Sequence, residues 1–137
     1  MAEVQSATEC AIAMAAEHIR EAIGCLPPSP NASPRNSVKE SITAIEATLK
    51  HLTGEPSATL GEGLRSYEKK FEPLHPSIKR GLIHFYEYSN GPEGIRHALV
   101  VDAAEVTVDD ARFMLVTCSA FVNYLIAAAS SIQIRKP

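Results

Sequence analysis

The chain has no tryptophan and only 6% aromatic residues, and its three cysteines (Cys10, Cys25 and Cys118) are widely separated. No two of them form a Cys-x-x-Cys pair, which argues against both a zinc knuckle and a disulfide framework. We therefore expect three reduced thiols in a cytoplasmic protein, with Cys118 acting as a small core residue.

An excess of positive charge is also absent, since 13 Lys and Arg stand against 16 Asp and Glu, for a formal net charge of −3. A nucleic-acid site would therefore be a local basic patch working against the overall field. The longest apolar run, Tyr124–Ala129, is too short to span a membrane. Glu3 stands where an export signal would carry positive charge, so we expect neither secretion nor a membrane partner.

Most catalytic and metal-binding motifs are missing. There is no Gly-rich phosphate loop and no His-Glu-x-x-His segment. A Glu-x-x-His pair occurs once, at Glu72 and His75, but Pro73 takes it out of a helix interior. Glu17 and His18 are sequence neighbours and point to different sides of a helix. We expect no metal and no cofactor.

What the chain does have is apolar residues at three- and four-residue steps, the spacing of one face of an α-helix. In the first such stretch, about Glu3 to Cys25, the stripe is Ile12, Ala15, Ile19, Ala22 and Leu26. Prolines then predict a stiff, exposed loop over residues 27–35. The sequence predicts an all-α fold, a bundle of about five helices in a single domain covering residues 1–137.

The later helices have recognisable start signals. Ser37–Glu40 and Thr59–Glu62 have the pattern of capping boxes, and Pro76 suits the first turn of a fourth helix. Thr107–Asp110 places two carboxylates at the positive end of a fifth helix. The wide apolar face of the fifth helix predicts a central position. The predicted core stripes are Val38, Ile42, Ile45, Leu49 and Leu52; Leu60, Leu64, Tyr67 and Phe71; Ile78, Leu82, Phe85 and Tyr88; and Ala111, Met114, Leu115, Cys118, Phe121, Val122, Leu125 and Ala129.

The most unusual polar segment is Gly94–His97, between the fourth and fifth helices. Arg96 offers a five-donor fork for carboxylate or phosphate, and His97 can act as acid, base or donor near neutral pH. Alternatively, Arg96 ties the loop to a carboxylate such as Glu40 or Glu46, and His97 caps a helix end.

Five further residues are candidates for binding. Asn123 and Tyr124 lie in the second half of the fifth helix, where a buried asparagine would need hydrogen-bond partners. Lys39, Glu40 and Glu46 lie on the second helix. A ligand role and a purely structural role both remain open for these side chains.

Four segments together resemble the C-terminal domain of AbiJ-type bacterial abortive-infection proteins, a group that looks related to the HEPN superfamily of helical domains. They occur in matching order between residues 36 and 125, a span that makes up most of the chain, and the last is the most specific. The segments are Asn36–Ile42, Leu74–Lys79, Gly94–Ala98 and Asp110–Leu125.

The resemblance implies a helical bundle, possible homodimerisation, possible RNA or nucleotide binding, and a link to phage defence. Active HEPN members use an arginine and a histidine separated by a short spacer, whereas here Arg96 directly precedes His97. Two functions stay open. One is a non-catalytic interaction, dimerisation or RNA-binding module. The other is a metal-independent endoribonuclease in which His97 moves the ribose 2′-hydroxyl proton and Arg96 stabilises the phosphorane charge.

Overall fold

The computed structural model describes residues 2–56, 59–90 and 105–135, and these residues form five α-helices and no strand. The prediction of an all-α bundle of about five helices is confirmed. The helices are α1 (Ala2–Gly24), α2 (Pro34–Thr53), α3 (Leu60–Lys70), α4 (Pro76–Asn90) and α5 (Val108–Arg135).

The start of α2 differs from the prediction. Ser33 is the N-cap, its Oγ accepting a hydrogen bond from the Asn36 amide at 3.3 Å, and Pro34 occupies the first turn. The helix therefore begins inside the segment expected to be loop, because proline is favoured in a first helical turn. Ser37 is not a cap: it is fully buried, and its Oγ donates to the Ala22 carbonyl of α1 at 2.8 Å.

Two threonines cap later helices. Thr59 Oγ1 accepts from the Glu62 amide at 3.1 Å, as its sequence pattern predicts. At the start of α5, Thr107 Oγ1 accepts from the Asp110 amide and Asp110 Oδ2 accepts from the Thr107 amide, both at 3.0 Å. This reciprocal pair is a capping box, so Asp110 is a hydrogen-bond partner of Thr107 in addition to its predicted place at the positive end of the helix dipole.

The most extensively packed helix of the described chain is α2. α2 packs against each of the other four helices, whereas α5 lies mainly along α2 and less extensively along α1. From α3, the Tyr67 hydroxyl donates to the Leu125 carbonyl of α5 at 2.7 Å. The Phe85 ring of α4 also lies 6.1 Å from that of Phe121, so α5 contacts several helices, as predicted, although its packing is less extensive than that of α2.

The predicted core stripes of α2 and α3 are buried throughout, and in α5 all members are buried or packed against the core. In α1, Ile12 is 51% exposed and Ala11 takes the core position instead. A small side chain there permits closer packing against α2. In α4, Leu82 is buried but Ile78 and Tyr88 are exposed, because α4 makes only limited contact with α2 and α3.

Candidate functional site

The predicted catalytic pair, Arg96 and His97, lies outside the described residues, as does the rest of Gly94–His97. Its role stays a prediction. The five candidate binding residues fall on two helices, with Lys39, Glu40 and Glu46 on α2 and Asn123 and Tyr124 on α5.

The α2 candidates point in different directions. Lys39 is exposed, whereas Glu40 is partly buried with its Oε2 at 2.9 Å from Nδ1 of His18 on α1. Glu46 lines a cavity of about 340 Å³ whose wall also includes His18 and residues at the start of α3. Glu40 thus has a described partner on α1, independently of any contact with Arg96.

The two candidates on α5, Asn123 and Tyr124, are both exposed at the surface of the helix. Asn123 is exposed, contrary to the expectation that it lies in the core, and Tyr124 is 41% exposed. The reason is helical geometry: Val122 and Leu125 are buried, and each residue between them is turned away by the ~100° step of the helix.

Beside Tyr124 runs an apolar surface on the side of α5 that faces away from α2. It consists of Phe113, Val116, Ala120, Tyr124 and Ala127, all exposed, and we call it the outer face. Phe113 is 58% exposed and Val116 is 69% exposed. The sequence has no charged residue from Phe113 to Ile134. Helices on a protein surface normally place polar and charged side chains opposite the core.

Apolar grooves border the outer face on both sides. Between α4 and α5, a groove of about 350 Å³ is lined by His84, Phe85, Tyr88, Asp110, Phe113 and Met114. The Phe85 and Phe113 rings lie 5.8 Å apart. Burial and, secondarily, the Asp110 charge raise the pKa of Tyr88. A second groove, of about 260 Å³, separates α1 from α5, and its lining includes Ile12, Ile19, Asn123 and Ile126. The apolar surface therefore extends beyond the helix itself.

By length and composition, Val108–Ile132 within α5 is also apolar enough to cross a membrane, and 28% of the most apolar window is buried. A core helix of a soluble protein passes the same test when it is mostly buried, but much of α5 is not covered by the described chain. The uninterrupted apolar runs in the sequence are short because Thr117, Ser119 and Asn123 interrupt them. These three residues add no charge, so the helix as a whole remains apolar. The expected absence of a membrane partner stays a prediction.

Cys25 and Cys118 both have a raised pKa, and Cys118 lies on the side of α5 opposite the outer face. Cys118 is buried in the core, as predicted, and burial raises its pKa to about 12, so the thiol stays protonated and unreactive. Burial, followed by the charges of Glu40 and Glu21, raises the pKa of Cys25.

Comparison with models of protein families, with curated proteins and with solved structures finds no match to this chain. The outer face has a signal in the sequence, namely a second set of apolar residues at three- and four-residue steps, offset by half a turn from the core stripe.

Proposed function

We propose that this chain is a non-catalytic association module, as suggested by its resemblance to AbiJ-type abortive-infection proteins, and that it pairs with a second copy through the outer face of α5. The observation behind the proposal is that α5 is apolar on both sides while one side lacks cover in the described chain. A contiguous exposed apolar patch of this kind is typical of an interaction surface.

The outer face is complementary to itself in an antiparallel arrangement. A two-fold axis at Ala120 places residues at equal distances before and after it opposite each other. Phe113 then meets Ala127, and Val116 meets Tyr124, so that a larger side chain faces a smaller one in each pair. The small Ala120 side chain allows the two helices to approach closely at the axis.

Two other arrangements fit less well. In a parallel pair, identical residues would face each other, so the aromatic rings would crowd while Ala120 and Ala127 would leave gaps. Crossing a bilayer would require α5 to leave α2, exposing the core side chains that α5 covers and breaking the hydrogen bond from Tyr67 to the Leu125 carbonyl. Each exposed core side chain would cost about 1.5–3 kcal/mol.

Sedimentation velocity on the whole chain at micromolar concentrations tests the pairing. We expect a species of twice the 14.8 kDa chain mass. Ala120→Glu should give a monomer, because it places two like charges together at the axis. Ala13→Glu is the matched control, since Ala13 is exposed on α1 and lines neither groove. A monomeric wild type, or a dimer that tolerates Ala120→Glu, would refute the proposal.

Disulfide trapping tests the orientation, with Cys10 and Cys25 first replaced by serine. Ala120→Cys should cross-link to its own copy under mild oxidation. Val116→Cys should not, because its two copies would be separated by eight helical residues, or ~12 Å, beyond the ~7 Å limit between disulfide Cα atoms. Cross-linking at both positions would indicate parallel helices. Flotation with phosphatidylcholine vesicles without cross-linking would indicate a membrane instead and would overturn the proposal.

A further inference from the structure

Three potential metal ligands converge where α1 packs against α2, away from the outer face. His18 and Glu21 are three residues apart on α1 and so lie on one side of it. Glu40 approaches from α2, and a donor atom from each of the three side chains lies within 4.8 Å of the other two. The closest pair is His18 Nδ1 and Glu40 Oε2, at 2.9 Å.

The backbone around these ligands is fixed by packing. α1 and α2 are the most extensively packed pair of helices in the described chain. The buried hydrogen bond from Ser37 to the Ala22 carbonyl joins the helices next to Glu21 and one turn before Glu40. Preorganised ligands lose less conformational entropy when they bind an ion.

The cluster also has an excess of negative charge. Two carboxylates share the site with one imidazole, and neither Glu21 nor Glu40 forms an ion pair with a lysine or arginine among the described residues. His18 and Glu40 are only 22% and 23% exposed, so water screens this charge incompletely. A divalent cation would neutralise both carboxylates.

We propose that His18, Glu21 and Glu40 bind a divalent transition-metal ion, for which Zn²⁺ is the probe. Imidazole nitrogen with carboxylate oxygen is a common zinc ligand set, whereas Mg²⁺ and Ca²⁺ take oxygen ligands. Bonds of ~2.0–2.2 Å in tetrahedral geometry place ligand atoms roughly 3.3–3.6 Å apart, so only small side-chain adjustments are needed. Three protein ligands leave the fourth position to water.

Binding changes the hydrogen bonding of His18. Its Nδ1 must offer a lone pair to the metal, so the neutral imidazole binds as the tautomer with its proton on Nε2, and the hydrogen bond to Glu40 Oε2 is replaced by two metal–ligand bonds. No metal is expected from the sequence because none of the familiar metal-binding motifs is present. The relevant pattern, His18-x-x-Glu21, has the opposite order to Glu-x-x-His and needs Glu40 from another helix.

Isothermal titration of the whole chain with Zn²⁺ tests the site. Cys10 and Cys25 are replaced by serine, because neither thiol is fully buried and thiolates bind zinc. We expect one ion per chain, and a loss of affinity of about tenfold or more in Glu40→Gln and Glu21→Gln. Glu17→Gln, an exposed neighbour of His18, is the matched control and should bind like the parent protein.

Thermal unfolding provides a second readout. Excess Zn²⁺ should raise the midpoint of unfolding of the parent protein more than that of Glu21→Gln, whose altered side chain is exposed. Mg²⁺ should leave both midpoints unchanged. The proposal is wrong if the parent binds no Zn²⁺ at micromolar concentrations, or if binding survives Glu40→Gln and Glu21→Gln undiminished.

Discussion

Glu68 of α3 uses one carboxylate oxygen to contact α4 and the other to contact the loop before it. Oε1 accepts from Lys79 Nζ on α4, and Oε2 accepts from the Leu74 amide at 2.9 Å. Partial burial acts to raise the pKa of Glu68, but the hydrogen bonds from Lys79 and Leu74 and the charge of Lys79 lower it overall. The ionised carboxylate is therefore favoured by folding.

Replacing Glu68 with glutamine should reduce the free energy of unfolding at neutral pH by about 1 kcal/mol, because a charge-assisted hydrogen bond is lost. The pKa is lower in the folded state, so this stabilisation is complete above the unfolded value near 4.5 and disappears as the pH falls through the folded value. Urea denaturation of both proteins from neutral to acidic pH measures it. A difference that does not shrink in acid would contradict this assignment, and Glu17→Gln should show little change at any pH.

At the scale of helices, α5 depends on a cap that lies just outside it. Thr107→Ala removes the acceptor for the Asp110 amide and should destabilise the protein by about 1 kcal/mol. Thr107→Ser keeps the hydroxyl and should be close to wild type. The denaturant midpoints of the wild type, Thr107→Ala and Thr107→Ser test this prediction. Equal losses in the alanine and serine variants would mean that the threonine methyl group, and not the cap, is responsible.

Helix positions were largely predictable because apolar periodicity is a property of the chain alone. The α2 and α3 stripes, for instance, are buried as predicted. Which of two nearby residues is buried, or caps a helix, was less predictable. Ile12 is more apolar than Ala11, yet close packing places the alanine inside. Ser33 and Ser37 both have plausible capping patterns, and Pro34 decides between them.

Candidate sites were harder to predict because they depend on how helices are placed next to each other. The outer face of α5 was not singled out from the sequence, because the sequence does not show which side of an apolar helix remains uncovered. His18 and Glu40 are distant in sequence and meet only because α1 packs on α2. Asn123 was expected to be buried because its neighbours in α5 are apolar, but it is exposed.

For the whole molecule, the alternative function is a ribonuclease that uses Arg96 and His97. We expect the purified chain, in the presence of EDTA, to cleave labelled RNA no faster than its Arg96→Ala and His97→Ala variants. The physical reasons are the net charge of −3, which repels a polyanion, and the direct adjacency of the two residues. Cleavage by the wild type that either substitution abolishes would overturn the association module in favour of the enzyme.

The absence of tryptophan has an optical consequence. Four tyrosines are the chain's main ultraviolet fluorophores, and no indole is present to take up their excitation energy. Tyr67 is enclosed and hydrogen-bonded to a backbone carbonyl, whereas Tyr124 lies on the outer face. Tyr124 therefore contributes emission that reports on the proposed contact surface without an added dye, and the similarly exposed Tyr88 contributes to the same signal.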